Sequence, residues 1–426
     1  MLLMKKNMIV AEISMINGSI YKINKVYDRE FLPIGLYADM NNAEIEADET
    51  PLKEWWKNNS IPAQRDSIRR GIECIGITDV DELKLLSHGV SLLNDYWVKE
   101  ENSVLKWEDV NFWINPFSKE IGEALFNHKP YHSDHSVIGT SPDGSLNGLL
   151  KKKWIIMDGE YYLQKSGTGL TKEEVFHEIL GTEIMNAAGI PNAQYGMHFD
   201  DKEICCISKC FTSENTELVP FTQIIDVVER RVYPAEPEME HVKNILRHFQ
   251  VKDYEEYLNN LLCIDYILAN TDRHYNNLAL LYQQDTDTFS FSPVYDSGNC
   301  LWNGISTQNI DCRDDSIMAR PFCNKNTFGT WKEQKEFITS YIDLKKEDLE
   351  NALRHYVSNT KQYSEITKQR IFVISSGCYE RAYLLQSYLK KKDIHIAEGC
   401  AITEEDIERF KNEIKMILRE NLGEKQ

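Results

Sequence analysis

Alternation between apolar and polar residues is clearest in the middle of the chain. Residues 153–157 (KWIIM) and 161–165 (YYLQK) are short runs rich in β-branched and aromatic side chains on either side of Asp158-Gly159, a pair that suits the left-handed backbone of a two-residue hairpin. The period then changes. Val175, Phe176, Ile179, Leu180, Ile184, Ala187 and Ala188 recur at helical spacing. Thr171 and Glu174 have the spacing of a capping box, and Gly189 with Pro191 ends the run. Segments 193–199 and 204–211 predict two further strands. Strand, hairpin, helix and two strands make a small sheet carrying one helix.

From about residue 220 onward helical periodicity dominates, with helices expected over 221–231, 237–250, 254–269, 344–356, 364–389 and 403–422. One hairpin interrupts them, 278–282 and 289–291 around Asp285-Thr286-Asp287. No period of 20 to 50 residues repeats, which argues against a solenoid. Residues 1–130 are mixed and rich in tryptophan (Trp55, Trp56, Trp97, Trp107 and Trp113), whose commoner use is packing; no chemical role follows for this region. The expected organisation is an N-terminal region over 1–130, a sheet lobe over 131–215 and a helical lobe over 216–426. This is an α+β class with the bilobal shape of a protein kinase, and shape alone does not establish function.

Composition narrows the partners. The chain has 426 residues, of which 42% are hydrophobic and 27% charged, ordinary for a globular protein of two or three domains. Its net charge of -19 repels phosphate backbones and anionic lipid surfaces, so neither nucleic acid nor membrane is an expected partner. The ten cysteines include no C-x-x-C pair, and Cys205, Cys206 and Cys210 lack a second pair at zinc-site spacing. The first residues lack the apolar core and small-residue cleavage site of a signal peptide, and no run approaches the roughly 18 apolar residues of a membrane span. The expectation is a cytoplasmic protein with reduced thiols.

The chemistry concentrates on two loops. Asp272 follows the apolar segment LLCIDYILAN and precedes the strand LALLY, a loop held rigid at both ends. Asn277 lies five residues on and offers an amide oxygen suited to hard Mg²⁺. After the hairpin, Pro293-Val294-Tyr295-Asp296 returns a second carboxylate. Phosphoryl transfer from ATP needs a carboxylate to orient the acceptor, oxygen ligands for Mg²⁺ and cations on the phosphates; these loops supply the first two.

The pattern Asn270-x-Asp272-Arg273-His274-x-x-Asn277, a hairpin, then Pro293-x-Tyr295-Asp296 closely resembles the HipA-like kinases, whose best-known members are serine/threonine kinases of bacterial toxin–antitoxin systems. The resemblance covers roughly 140–310. It implies ATP and Mg²⁺ as cofactors, Asp272 as catalytic base, and Asn277 and Asp296 as metal ligands. Arg273 and His274 would support the loop, with His274 on its nucleotide side. Lys165, by its order along the chain, matches the lysine that contacts the α- and β-phosphates. Its acidic partner is expected to be Glu178, which matches the family's Asn-Glu position, while Glu183 lies nearer the apolar stripe and stays a competitor.

A phosphate-cradling loop should precede the first hairpin, and Ser141-Pro142-Asp143-Gly144-Ser145-Leu146-Asn147-Gly148 lies there. Ser141, Gly144, Ser145 and Gly148 are its nucleotide-binding candidates. Ser141 and Gly144 match the toxins' Ser-x-x-Gly, but Leu146 and Gly148 replace the toxins' Gln and Lys, against toxin-style regulation by loop phosphorylation. Lys209 to Phe211, after the strand ICCISK, would meet adenine through the backbone.

The expected activity is phosphorylation of a protein serine or threonine, the kinase's own hydroxyls included, with an antitoxin-like protein as a further partner. Three alternatives share the fold: a lipid or small-molecule kinase, a transferase moving AMP to protein, and a pseudokinase scaffold. A lipid kinase should carry a basic membrane-facing segment; Lys151 to Lys153 and Lys390 to Lys392 are the only dense basic runs, and the first leads into a strand while the second ends a helix. Together, Lys165, Asp272, Asn277 and Asp296 argue against the scaffold.

Overall fold

The computed structural model describes residues 1–65, 67–131, 139–230, 236–319 and 329–419. Its centre is a four-stranded antiparallel sheet in the order β5-β6-β8-β7, built from β5 (Lys152–Met157), β6 (Glu160–Ser166), β7 (Tyr195–Asp200) and β8 (Glu203–Lys209). Asp158 takes φ 52° and Gly159 φ 80° in the turn that joins the first two strands, as the sequence predicts for a two-residue hairpin. The helix Glu173–Ala187 packs between β7 and β8 on one side and the helix Lys346–Thr360 on the other. It is therefore buried nearly all round, from Glu173 to Thr182 without a break. No single apolar stripe exists to favour one glutamate.

The capping box expected at Thr171 and Glu174 does not form. Lys172 is the N-cap at φ 51° with no side-chain cap, and Glu174 instead accepts hydrogen bonds from Thr168 and Asn303. The preceding loop at Thr168 and the distant Asn303 take the carboxylate that local spacing assigned to the helix end.

The second lobe is helical: Glu238–His248, Tyr254–Ile267, Lys346–Thr360, Lys368–Lys391 and Glu404–Arg419. The helix expected over 221–231 starts as expected, directly after β9 (Thr216–Pro220), but ends at Ile224; residue 231 and the end of 403–422 lie outside the described residues. A sheet that the sequence reading missed, β11-β10-β9, joins β9 to the expected hairpin β10 (Ala279–Gln283) and β11 (Thr288–Phe291). One hydrophobic core runs from the Glu173–Ala187 helix through both lobes to Leu418.

Residues 1–130, unassigned from sequence, contain another four-stranded antiparallel sheet, β3-β2-β1-β4, of Ser19–Val26, Met8–Ile16, Leu2–Lys5 and Tyr96–Lys99. Trp55, Trp56, Trp97 and Trp107 are buried in its cores. The region docks on the kinase-like lobes through the Leu218 N–H donating to the Leu93 carbonyl (2.8 Å) and a Lys5–Glu217 ion pair (2.9 Å). Among the described residues, no helix is long and apolar enough to cross a membrane.

Candidate active site

A cavity of about 1030 Å³ lies between the lobes, with residues 35–62 of the N-terminal region as its outer wall. The helix Tyr254–Ile267 ends at its floor, where Ala269 turns left-handed at φ 49°. Asp265, fully buried on that helix, receives both Nε and a terminal nitrogen of Arg273 at 3.0 and 3.1 Å and the Asn270 amide at 2.8 Å. Arg273 also donates to the Asn277 and Tyr295 carbonyls, each at 2.8 Å, and to Ser297 Oγ at 3.2 Å. One buried guanidinium therefore ties the loop of Asp272 to the loop of Asp296. Sequence reasoning assigned Arg273 this support and missed Asp265, although a carboxylate inside LLCIDYILAN signals a buried cation partner.

With the frame fixed, Asp272, His274, Asn277 and Asp296 all line the cavity. The Asn277 Nδ2 donates to the Asp272 carbonyl at 3.0 Å. His274 Nε2 stands 3.8 Å from Asp272 Oδ1. Asp296 has φ 56°, a left-handed conformation that aspartate tolerates better than most residues, and its N–H donates to Tyr195 Oη at 3.3 Å.

Lys165, at the end of β6 and 2% exposed, meets Glu178 Oε1 at 2.6 Å and Asp296 Oδ1 at 2.5 Å. Glu178 Oε2 accepts the Ser297 N–H at 3.0 Å. Gly298 lets that loop lie on the helix, since a Cβ there would come within 3.2 Å of Glu178 Cγ. Burial alone would lower the Lys165 pKa, but Asp296 and Glu178 outweigh it and hold the ammonium above its ordinary value. Burial pushes Glu178 up against the pull of Lys165. Burial would likewise raise Asp296, but Lys165 and Lys152 hold it well below the usual carboxylate range. The Asp296 carboxylate is thus stabilised in its charged form. Glu183 lies on another face of the helix, 31% exposed and 3.6 Å from His355, so the lysine's partner is Glu178.

The loop before the hairpin divides in two. Ser141 and Gly144 do not line the cavity: Ser141 is fully buried, its hydroxyl donating to Asp143 at 2.7 Å and its N–H to Ser87 Oγ at 2.9 Å. Gly144 sits against Leu83 and Lys84, where a Cβ would be within about 3.3 Å of their backbone. Ser145 and the stretch 146–150, including Gly148, do line it. Arg65, reaching in from the N-terminal region, pins this stretch by donating to the Gly148 carbonyl at 2.9 Å and to the Leu146 carbonyl. Nothing in the pattern around Arg65 announced that role, because the contact spans 83 residues of chain.

Lys209 and Phe211 also border the cavity. The Lys209 ammonium is turned outward to Glu160 at 3.1 Å, and the Cys210 N–H between them donates to the Tyr161 carbonyl at 2.8 Å, so that donor is taken by the sheet. Phe211 packs on Tyr295 with ring centroids 5.9 Å apart. Lys152, not singled out from sequence, faces the cavity beside Lys165. Burial lowers its pKa to about 7, partly offset by Asp296.

The model of the HipA-like C-terminal domain family matches residues 144–364. A serine/threonine-protein kinase, CtkA of Helicobacter pylori, is 21% identical over 215 residues, covering 46% of this chain and 66% of that protein, just under two thirds of its length. Among solved structures, the H. pylori proinflammatory kinase CtkA aligns with 62% of this chain and 94% of its own at 18% identity and a TM-score of 0.39. Shewanella oneidensis HipA, solved with HipB and operator DNA, aligns over 99% and 97% at 10% identity and a TM-score of 0.43.

Proposed function

The chain belongs to the HipA-like C-terminal domain family, and from that premise we propose that it is an ATP- and Mg²⁺-dependent kinase that phosphorylates serine or threonine hydroxyls of protein, its own included. The observation that carries this reading is the convergence of Asp272, Asn277, Asp296 and Lys165 on one cavity, with Lys165 paired behind it to Glu178. Sequence similarity to a protein named a serine/threonine kinase supports the same class.

The donor set fits Mg²⁺. Asn277 and Asp296 present hard oxygens to one cavity, few enough to leave positions for water and phosphate. Bound there, the ion would neutralise charge on the transferring phosphoryl group. Lys165, oriented by Glu178, would hold phosphate oxygens. Asp272 would accept the acceptor hydroxyl's proton, kept in register by Arg273 through the Asn277 and Tyr295 carbonyls. An antitoxin-like protein partner belongs to this reading on family grounds.

Incubating the full chain with Mg²⁺ and ATP labelled at either the γ- or the α-phosphate tests it. Label from the γ-position on serine or threonine is the expected result. Label from the α-position would replace the kinase reading with AMP transfer, and label confined to phosphatidylinositol vesicles would replace it with a lipid kinase.

A further inference from the structure

Lys152 and Lys165 are direct cross-strand partners in the β5–β6 hairpin. Directly opposed residues of an antiparallel pair share a face, with Cβ atoms roughly 5 Å apart, and like charges so placed destabilise the sheet. Lys165 has its counter-charges in Glu178 and Asp296. Lys152 has no direct partner: it is 9% exposed, borders the cavity, and makes no ion pair or hydrogen bond with a described residue, and the nearby Asp296 charge is already in contact with Lys165. Its ammonium occupies the space over Gly148, where φ is 100° and a Cβ would collide with it. A buried, unpaired ammonium beside another lysine is a costly arrangement unless an anion bridges the two.

The charge of the site points to the same ligand. One lysine facing two carboxylates is a poor receptor for a polyphosphate. Lys152 restores the balance on the phosphate side, next to the stretch whose carbonyls Arg65 holds.

We propose that Lys152 is a second phosphate-binding lysine, which with Lys165 grips neighbouring phosphoryl oxygens of the nucleotide. This rests on the nucleotide-binding reading above and adds a residue to it. The cation comes from the strand, and the absence of a side chain at Gly148 makes room for it.

The test is calorimetric titration of the full chain with Mg²⁺ and ATP or AMP, beside thermal melts of the empty protein, for wild type, Lys152→Met and Lys153→Met. Lys153 is the neighbour whose ammonium pairs with Glu123 and Asp200 instead. Lys152→Met is expected to weaken ATP at least tenfold, the scale of one hydrogen bond to a charged group, to leave AMP within about twofold, and to raise the melting temperature of the empty protein. Lys153→Met is expected to lower the melting temperature and leave ATP affinity within about twofold. ATP binding unchanged by Lys152→Met, or a Lys152→Met chain less stable than wild type, overturns the proposal while the nucleotide reading stands. A wild-type chain that binds no nucleotide overturns both.

Discussion

Lys165 and Asp296 stand 131 residues apart along the chain and 2.5 Å apart in the fold. The same carboxylate is the metal ligand proposed above at the end of Pro-Val-Tyr-Asp, so the proposed metal position and the lysine share one side chain. Glu178, which also holds Lys165, is anchored by the Ser297 N–H immediately after Asp296. The sheet, the helix Glu173–Ala187 and the metal-side loop therefore meet at a single ammonium.

The two glutamates of that helix should separate sharply. Glu178→Gln leaves Lys165 buried with one counter-charge fewer, and should cost about 3–5 kcal/mol of stability, as breaking a buried pair does, together with most of the activity. Glu183→Gln touches a half-exposed contact to His355 and should change stability by no more than about 0.5 kcal/mol. Chemical denaturation and a phosphoryl-transfer assay on both variants check this, and equal effects would remove Glu178 from its role.

Asp272→Asn should keep ATP affinity within a few-fold while transfer falls by at least ~100-fold, the usual scale of a general base. The loop should survive the change, because Asp272 is held through its backbone: its N–H donates to Asn270 Oδ1 and its carbonyl accepts from Asn277. Single-turnover kinetics beside equilibrium binding makes the comparison; turnover at the wild-type rate would exclude Asp272 as base.

Asp296→Ala should abolish the Mg²⁺-dependent tightening of ATP binding, and Asp287→Ala should not. Asp287 is a hairpin-tip residue at φ 50° that accepts from Tyr282 Oη at 3.0 Å, in solvent and away from the cavity. Titrations with and without Mg²⁺ decide between a ligand and a charge that decorates a turn.

His177 should make the fold acid-sensitive. It is fully buried beside Glu178, with Nδ1 3.2 Å from the Gly298 carbonyl, and burial lowers its pKa from 6.5 to about 4, partly offset by Glu173. The unfolded chain then binds the extra proton between those two values, so stability is fully present above pH 6.5 and declines as pH falls toward 4. At 1.36 kcal/mol per unit the loss approaches ~3 kcal/mol. Denaturation midpoints from pH 7 to 4 should show this slope, and His177→Phe should flatten it; an unchanged slope would assign the acid sensitivity elsewhere.

The sequence by itself determined the parts of this protein whose logic is local. The Asp158-Gly159 hairpin, the helix leading to Asn270, and the two loops that carry the candidates Asp272, Asn277 and Asp296 follow from turn chemistry, periodicity and residue type, all within short stretches of chain. Tertiary structure decided what depends on distant partners. Glu174 does not cap its helix, and one of its oxygens accepts from Asn303, 129 residues away. The choice of Glu178 over Glu183 required the strand that brings Lys165 to one face of the helix, while Glu183 faces His355 on another. Ser141 and Gly144 turned away from the cavity because Ser87, Leu83 and Lys84 of the N-terminal region enclose them. Asp265, Arg65 and Lys152 acquired their places only when strands and loops far apart in sequence were packed together. A buried charge takes its meaning from the groups around it, and at low dielectric those groups are chosen by the fold.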